Sequence, residues 1–332
     1  MTKKTFTQKL KTHSLIIAIL LGFIGFMLLK YVPIFSVFKP AAYFACDSLP
    51  FLLFLMLFLS FCKIEVKEMI PKTWHFSLAV VQVVLSGSLV VLLMVFDFSF
   101  ITVLLIEGAI ICFITPTAAS ASVMTGKLGG NEAAQTTFTI ISNVVAAIAI
   151  PLLFPLFCDV SSISFFSDFV MILKKVFPVL VLPLILAFTV KRFLPTLHKF
   201  IIKSTKEVGF YLWLATLVVQ SGRIFESISK AEVSILFIIL LFAVGLACTI
   251  IQFLLGKMLG SFDNQKASAG QALGQKNTIF AIWIAIVYIS PTVAIAPGSY
   301  LLWQNLVNAY QMWYREKQSI QRAKMGLSPY QE

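Results

Sequence analysis

Apolar residues run along this chain in long blocks, separated by short polar, basic or turn-forming stretches. A helix that crosses a bilayer needs about 20 predominantly apolar residues, and ten blocks approach that length. They cover residues 14–29, 43–61, 75–96, 100–127, 133–157, 169–190, 208–220, 233–259, 264–289 and 293–313. The seventh is short. Two blocks are interrupted, the fourth at Thr115-Pro116-Thr117 and the ninth at Gly274-Gln275-Lys276-Asn277-Thr278. The first block has no small-residue cleavage site and more spans follow it, so it predicts a membrane helix rather than a signal peptide.

Composition narrows the class. Hydrophobic residues make up 59% of the 332 and charged residues 12%, with a mean hydropathy of +0.94. A soluble core cannot hide that much apolar side chain, so the expectation is an all-α integral membrane protein of the cell membrane, crossing it several times. The net charge of +12 does not point to nucleic acid, because the basic residues cluster between the apolar blocks. With the N terminus in the cytoplasm, Lys3, Lys4, Lys9, Lys11, Lys63, Lys67, Lys72, Lys127, Lys191, Arg192, Lys199, Lys203, Lys206, Lys257 and Lys266 fall inside. So do Arg315, Lys317, Arg322 and Lys324 of a basic tail over 315–332. Only Lys30, Lys39, Lys174, Lys175, Arg223 and Lys230 fall outside. That asymmetry puts both termini in the cytoplasm and predicts contact with anionic lipid at that face. The five cysteines (Cys46, Cys62, Cys112, Cys158, Cys248) lack metal spacing and read as small buried hydrophobes. His13, His75 and His198 lie at membrane edges and read as solvated flanks.

Ten spans divide into five and five, and an odd number per half inverts the second half. The breaks fall in the fourth member of each half. Matched interruptions in two halves point to a transporter site between inverted repeats, here about 14–157 and 169–314 of one transmembrane domain. The repeat rests on hydropathy and the matched breaks, since the halves share no strong residue-level similarity.

The first break reads Thr115-Pro116-Thr117-Ala118-Ala119-Ser120-Ala121-Ser122. Proline removes an N–H and frees carbonyls, which in lipid must be satisfied by protein or water. The half-helix ending there offers carbonyls to a cation, and the one beginning there offers amides to an anion. A plain proline kink packed with small residues is the simpler alternative. Glu107 is the one acidic residue deep in an apolar run, either a counter-charge or proton carrier or an interfacial residue. On the fifth block Gln135, Thr139 and Asn143 are spaced four apart and share a helix face. Gln82 on the third is a lone amide, as readily an interhelical hydrogen bond as a ligand contact.

In the second break Gly274 can end one helix and Asn277-Thr278 can cap the next. Lys276 then sits where a charge costs about 2.5–3.5 kcal/mol on insertion scales. It is a fixed charge standing where a transported cation would sit, a titrating group that couples transport to protons, or an anchor for a substrate carboxylate or sulfonate. Snorkelling to the surface is the bland alternative.

Residues 116–125 followed by Gly129-Gly130-Asn131, together with Gly274-Gln275-Lys276-Asn277-Thr278, resemble the crossover motifs of the bile acid:sodium symporter superfamily. The Gln-Lys form is most similar to its sodium-bile-acid-symporter-like branch. The resemblance implies ten helices in two inverted repeats, with the broken fourth and ninth helices crossed in a core and the first, second, sixth and seventh forming a panel. It implies organic anions such as bile acids as substrates and sodium as driving ion. The sodium-coupled members carry Glu-x-Gly-x-Gln-Asn at the ninth-helix crossover, where this chain has Ala272-Leu273-Gly274-Gln275-Lys276-Asn277. A Ser-Asn pair becomes Ala121-Ser122, and a hydroxyl position holds Gln135, although Thr139 keeps its hydroxyl. Oxygen ligands and a carboxylate suit sodium. Exchanging that carboxylate for an alanine and gaining an ammonium argues against two intact sodium sites.

The expectation is therefore an alternating-access carrier of a small organic anion, with Thr115, Pro116, Thr117, Ser120, Ser122, Gln135, Thr139, Asn143, Gln275, Lys276, Asn277 and Thr278 at the site. No cofactor or metal centre is expected, and sodium or protons are the candidate coupling ions. One alternative keeps sodium coupling through Ser122, Thr139 and Gln82. Another is a non-transporting membrane regulator on the same fold. No nucleophile–base pair, metal cluster or phosphate loop suggests an enzyme.

Overall fold

A computed structural model describes residues 14–63, 69–158, 164–205, 208–230 and 233–325. Lys3, Lys4, Lys9, Lys11, His13, Lys67 and Lys206, and positions 326–332 of the tail, lie outside them. The described chain is helical, and its only β-contact is one isolated bridge. In order the helices are α1 (Ser14–Tyr31), α2 (Lys39–Asp47), α3 (Leu49–Cys62), α4 (Thr73–Val95), α5 (Phe100–Ile114), α6 (Ala121–Lys127), α7 (Glu132–Leu153) and α8 (Phe165–Leu180). There follow α9 (Leu182–Phe193), α10 (Pro195–Ser204), α11 (Val208–Lys230), α12 (Ile235–Ser261), α13 (Lys266–Gly274), α14 (Thr278–Tyr288) and α15 (Ile295–Lys324).

Capping residues fix where several helices start. Ser99, Asn131, Ser164, Ser234 and Asn277 each accept a hydrogen bond from a backbone N–H three residues on. Each satisfies one donor that a helix start leaves orphaned. Among the described residues, α4, α7 with its 3₁₀ extension, and α12 are each long and apolar enough to cross a bilayer alone. Two bent pairs raise that to as many as five. The first pair turns by 110° between Tyr31 and Pro33, and the second by 41° between α8 and α9. Both turns coincide with prolines, Pro33 and Pro183, whose missing N–H interrupts the ladder.

The sequence pattern and the helices differ in several places. The apolar block 43–61 is divided at Ser48 into α2 and α3, because Pro50 cannot donate to the carbonyl of Cys46. The short block 208–220 becomes the 23-residue α11, whose second half carries Arg223, Glu226 and Lys230. His75 and His198 are not solvated flanks. His75 is fully buried and its Nδ1 accepts the Lys72 backbone N–H at 2.9 Å. His198 is 9% exposed, and its Nε2 lies 2.8 Å from the Cys62 carbonyl, which ties α10 to the end of α3.

Burial runs inside out, as lipid requires. On α4, Leu78, Gln82, Ser86 and Val90 repeat every four residues and are buried, while Val80, Val84, Val91 and Val95 are exposed. A face holding an amide and a hydroxyl points at protein, and the valine face points at lipid. The polar inward faces of α4, α7 and α15 converge on the two interruptions.

Candidate functional site

The interruptions meet. The α5 helix ends at Ile114, and the chain runs extended through Thr115 and Pro116 before α6 begins. The α13 helix ends at Gly274, and Asn277 opens α14 by accepting from the Phe280 N–H at 3.2 Å. Between them, Thr117 and Lys276 form an antiparallel bridge. The Asn277 N–H donates to the Pro116 carbonyl at 2.8 Å, and the Ala118 N–H donates to the Gln275 carbonyl at 2.9 Å. Backbone freed by breaking a helix must find partners inside the protein, and here each break supplies them for the other. Gly274 is needed for close approach, because a Cβ there would enter the ring of Phe253.

Side chains brace the bridge from three helices. From α15, Gln304 Oε1 accepts the Lys276 N–H at 2.9 Å while its Nε2 donates to the Lys276 carbonyl at 3.4 Å. Tyr300 on the same helix donates to the Gly274 carbonyl at 2.7 Å. From α7, the Ser142 hydroxyl accepts the Thr117 N–H at 3.1 Å and donates to Gln82 Oε1 at 2.8 Å. From α4, Gln82 Nε2 donates to the Ile114 carbonyl at 2.7 Å. Thr117 Oγ1 crosses to the Ala272 carbonyl at 2.6 Å, and Thr115 Oγ1 folds back on Ile111 at 2.6 Å. Both ends of the Gln82 amide are thus occupied in holding the first break.

Lys276 is 2% exposed, so it does not snorkel. Its Nζ donates to the carbonyl of Phe113, in the last turn of α5, at 3.1 Å. That carbonyl lies at the negative end of a half-helix. Among the described residues no carboxylate pairs with the ammonium, and Glu107, 8% exposed on the same helix, makes no ion pair or hydrogen bond. The Gln275 amide donates to the exposed Ser120 hydroxyl at 3.0 Å, and its Oε1 is buried without a partner among the described residues. Ser122 is partly exposed and donates to the Ala119 carbonyl at 3.3 Å. Thr278 is 4% exposed.

The Gln135–Thr139–Asn143 stripe lies buried along α7, the helix whose Ser142 reaches the first break. Thr139 donates to the Gln135 carbonyl at 3.1 Å and Asn143 Nδ2 to the Thr139 carbonyl at 2.7 Å. Gln135 Nε2 and Oε1 and Asn143 Oδ1 are buried with no partner among the described residues. No hydrogen bond there joins this stripe to Lys276. Sequence reading passed over Gln304 and Tyr300. The signal was present: Tyr300, Gln304 and Asn308 are spaced four apart on α15, as the α7 stripe is, and Gln271 Nε2 donates to Asn308 at 3.0 Å.

Two broken helices paired through their backbones inside an all-helical, apolar bundle are an arrangement found at the binding sites of secondary transporters. The chain belongs to the sodium bile acid symporter family, whose model matches residues 50–231. It is accordingly a multi-pass membrane protein of the symporter type and not an enzyme. The matched segment holds the first break and ends before the second, so the Gln275-Lys276 motif lies beyond it. No curated protein matches the chain.

Proposed function

We propose that this protein carries a small organic anion across the membrane by alternating access, without sodium as coupling ion. In this reading ten spans form two inverted repeats, about 14–157 and 169–314, of one domain, and the anion binds beside the crossover. The observation that carries it is the Lys276 ammonium on the Phe113 carbonyl, with no carboxylate paired to it among the described residues. A half-helix C-terminus is where a bound cation gains most from the helix dipole, and a tethered ammonium there supplies the charge that sodium would bring. The unpartnered amide atoms of Gln135, Asn143 and Gln275 support an adjacent polar site, because buried polar atoms ordinarily have partners. Thr115, Pro116, Thr117, Asn277 and Thr278 shape the crossover, and Ser120 and Ser122 stand at its more open edge. Glu107 is the residue from which a proton would be handed to the site.

The test is uptake into proteoliposomes of an anion first identified by its thermal stabilisation of the purified protein. Replacing external sodium by choline leaves the initial rate within about twofold, a difference worth roughly 0.4 kcal/mol. An inward proton gradient is the second arm and accelerates uptake if Lys276 or Glu107 titrates in the cycle. Strict dependence of the rate on sodium would overturn the reading.

A further inference from the structure

A cavity of about 380 Å³ lies between α1, α2 and α11 and is lined by none of the crossover residues. Its volume falls among those of small-molecule sites, about 300–1,000 Å³. Its shape comes from two glycines. At Gly22 the helices touch, since a Cβ would meet the Val218 carbonyl oxygen and the Ser221 Cβ within 2.6 Å. One turn later, at Gly25, nothing lies within 4 Å of where a Cβ would stand, so no side chain fills the gap in front of it, although α1 and α11 meet again where Lys30 bonds Ser229. The 110° turn then brings α2 back along the opening, where Ala42, Tyr43 and Cys46 complete the lining.

The walls are apolar, formed by Leu21, Phe26, Leu29, Val218 and Val219. The rim is not. Lys30, Lys39, Arg223 and Lys230 all line the cavity, against the single carboxylate of Glu226. Glu226 is already shared. It accepts from Arg223 Nη1 at 2.9 Å, Lys230 Nζ at 2.6 Å and the Tyr43 hydroxyl at 3.3 Å. Lys30 Nζ donates to the neutral Ser229 hydroxyl at 2.7 Å and lies 5.5 Å from the centre of the Phe26 ring. The Lys39 ammonium makes no ion pair among the described residues. Among the described residues no carboxylate pairs with Lys30 or Lys39, so two cations stand at the edge of an apolar trough.

We propose that this cavity binds an amphipathic anion, its headgroup between Lys30 and Lys39 and its hydrocarbon tail against Leu21, Phe26 and Val218. The same chemistry is offered by a free alkyl carboxylate and by an anionic membrane lipid. The site is separate from the crossover, so it stands or falls independently of the transport reading.

The experiment is photolabelling of the full chain, purified in a neutral detergent, with a decanoate carrying a diazirine near its tail end, followed by peptide mapping. Label is expected in the segments 21–30 and 218–229, competed by unlabelled decanoate at least tenfold better than by decanol. Lys30→Gln together with Lys39→Gln reduces that label at least tenfold. Gly25→Phe, which fills the gap with a side chain, abolishes it, and label elsewhere on the protein is unaffected by these variants. Repeating the labelling in phosphatidylglycerol and in phosphatidylcholine nanodiscs separates the sources. Suppression by phosphatidylglycerol alone identifies a lipid, and equal labelling in both identifies a soluble anion. Decanol competing as well as decanoate, or labelling of these segments that survives both sets of variants, would overturn the proposal.

Discussion

Lys276→Gln is expected to lower anion uptake by about ten- to a hundredfold, the equivalent of the roughly 1.5–3 kcal/mol carried by a hydrogen bond to a charged group. Lys276→Met, which keeps the length and apolar stem without the charge, should do the same. The melting temperature should move little in either variant. Removing the ammonium leaves the Phe113 carbonyl without its donor, but it also removes the desolvation cost of a charge that is 2% exposed. An unpaired carbonyl is also less costly than an orphaned N–H. Undiminished uptake in both variants, measured in proteoliposomes at matched protein density, would show that the charge takes no part in transport.

Gln304→Leu should act the other way, on stability first. It strips the partner from the buried N–H of Lys276, bonded at 2.9 Å, while the Lys276 carbonyl loses only a 3.4 Å contact and keeps the Thr278 N–H at 2.9 Å. Each buried group left unsatisfied costs about 1–3 kcal/mol. The melting temperature should fall by about 2–10 °C on the scaling of stability to melting point for large domains. The informative contrast is Gln135→Leu. Both polar atoms of that amide are buried and unpartnered, so an apolar residue of similar size should leave the melting temperature unchanged or raise it. Transport should still fall, since the unpartnered amide is what the proposed site offers a ligand. Size-exclusion thermal profiles and uptake on the same preparations would check both. A Gln135→Leu variant that melts as low as Gln304→Leu would make the α7 stripe a structural brace instead.

The two breaks were legible because they violate the strongest rule of a membrane sequence. Pro116 and Lys276 each interrupt an apolar run, and an interruption stands out in a pattern that is otherwise uniform. The cap at Asn277 and the helix end at Gly274 followed from local chemistry alone. What pairs with what did not. The bridge between Thr117 and Lys276 joins residues far apart in sequence, and nothing local encodes the register. Gln82 illustrates the limit. An isolated amide in an apolar helix announces a polar partner without naming it, and the partners are the Ile114 carbonyl and the Ser142 hydroxyl. The histidines misled for a related reason. A helix-end position suggests water, yet His198 is covered where α10 packs on α3. The split of the second apolar block at Ser48 was readable from Pro50, but hydropathy summed over a window does not register one missing N–H.

The cavity between α1 and α11 was invisible for another reason. Lys30, Lys39, Arg223 and Lys230 appear in sequence as ordinary charged flanks; the packing of α1 on α11 brings three of them together, and the 110° turn after Tyr31 adds Lys39 to the same cavity. That turn depends on Pro33, a residue that a span count treats simply as the end of a helix.

The central claim is that Lys276 supplies the positive charge which a bound sodium ion would otherwise bring to the crossover. It is tested most directly by thermal unfolding of the purified protein across a titration of sodium chloride against choline chloride at constant ionic strength. An ion bound only by the folded state stabilises it by about 2.7 kcal/mol at a hundred times its dissociation constant. The account predicts superimposable melting curves at every sodium fraction; a melting temperature that climbs and saturates with sodium would contradict it.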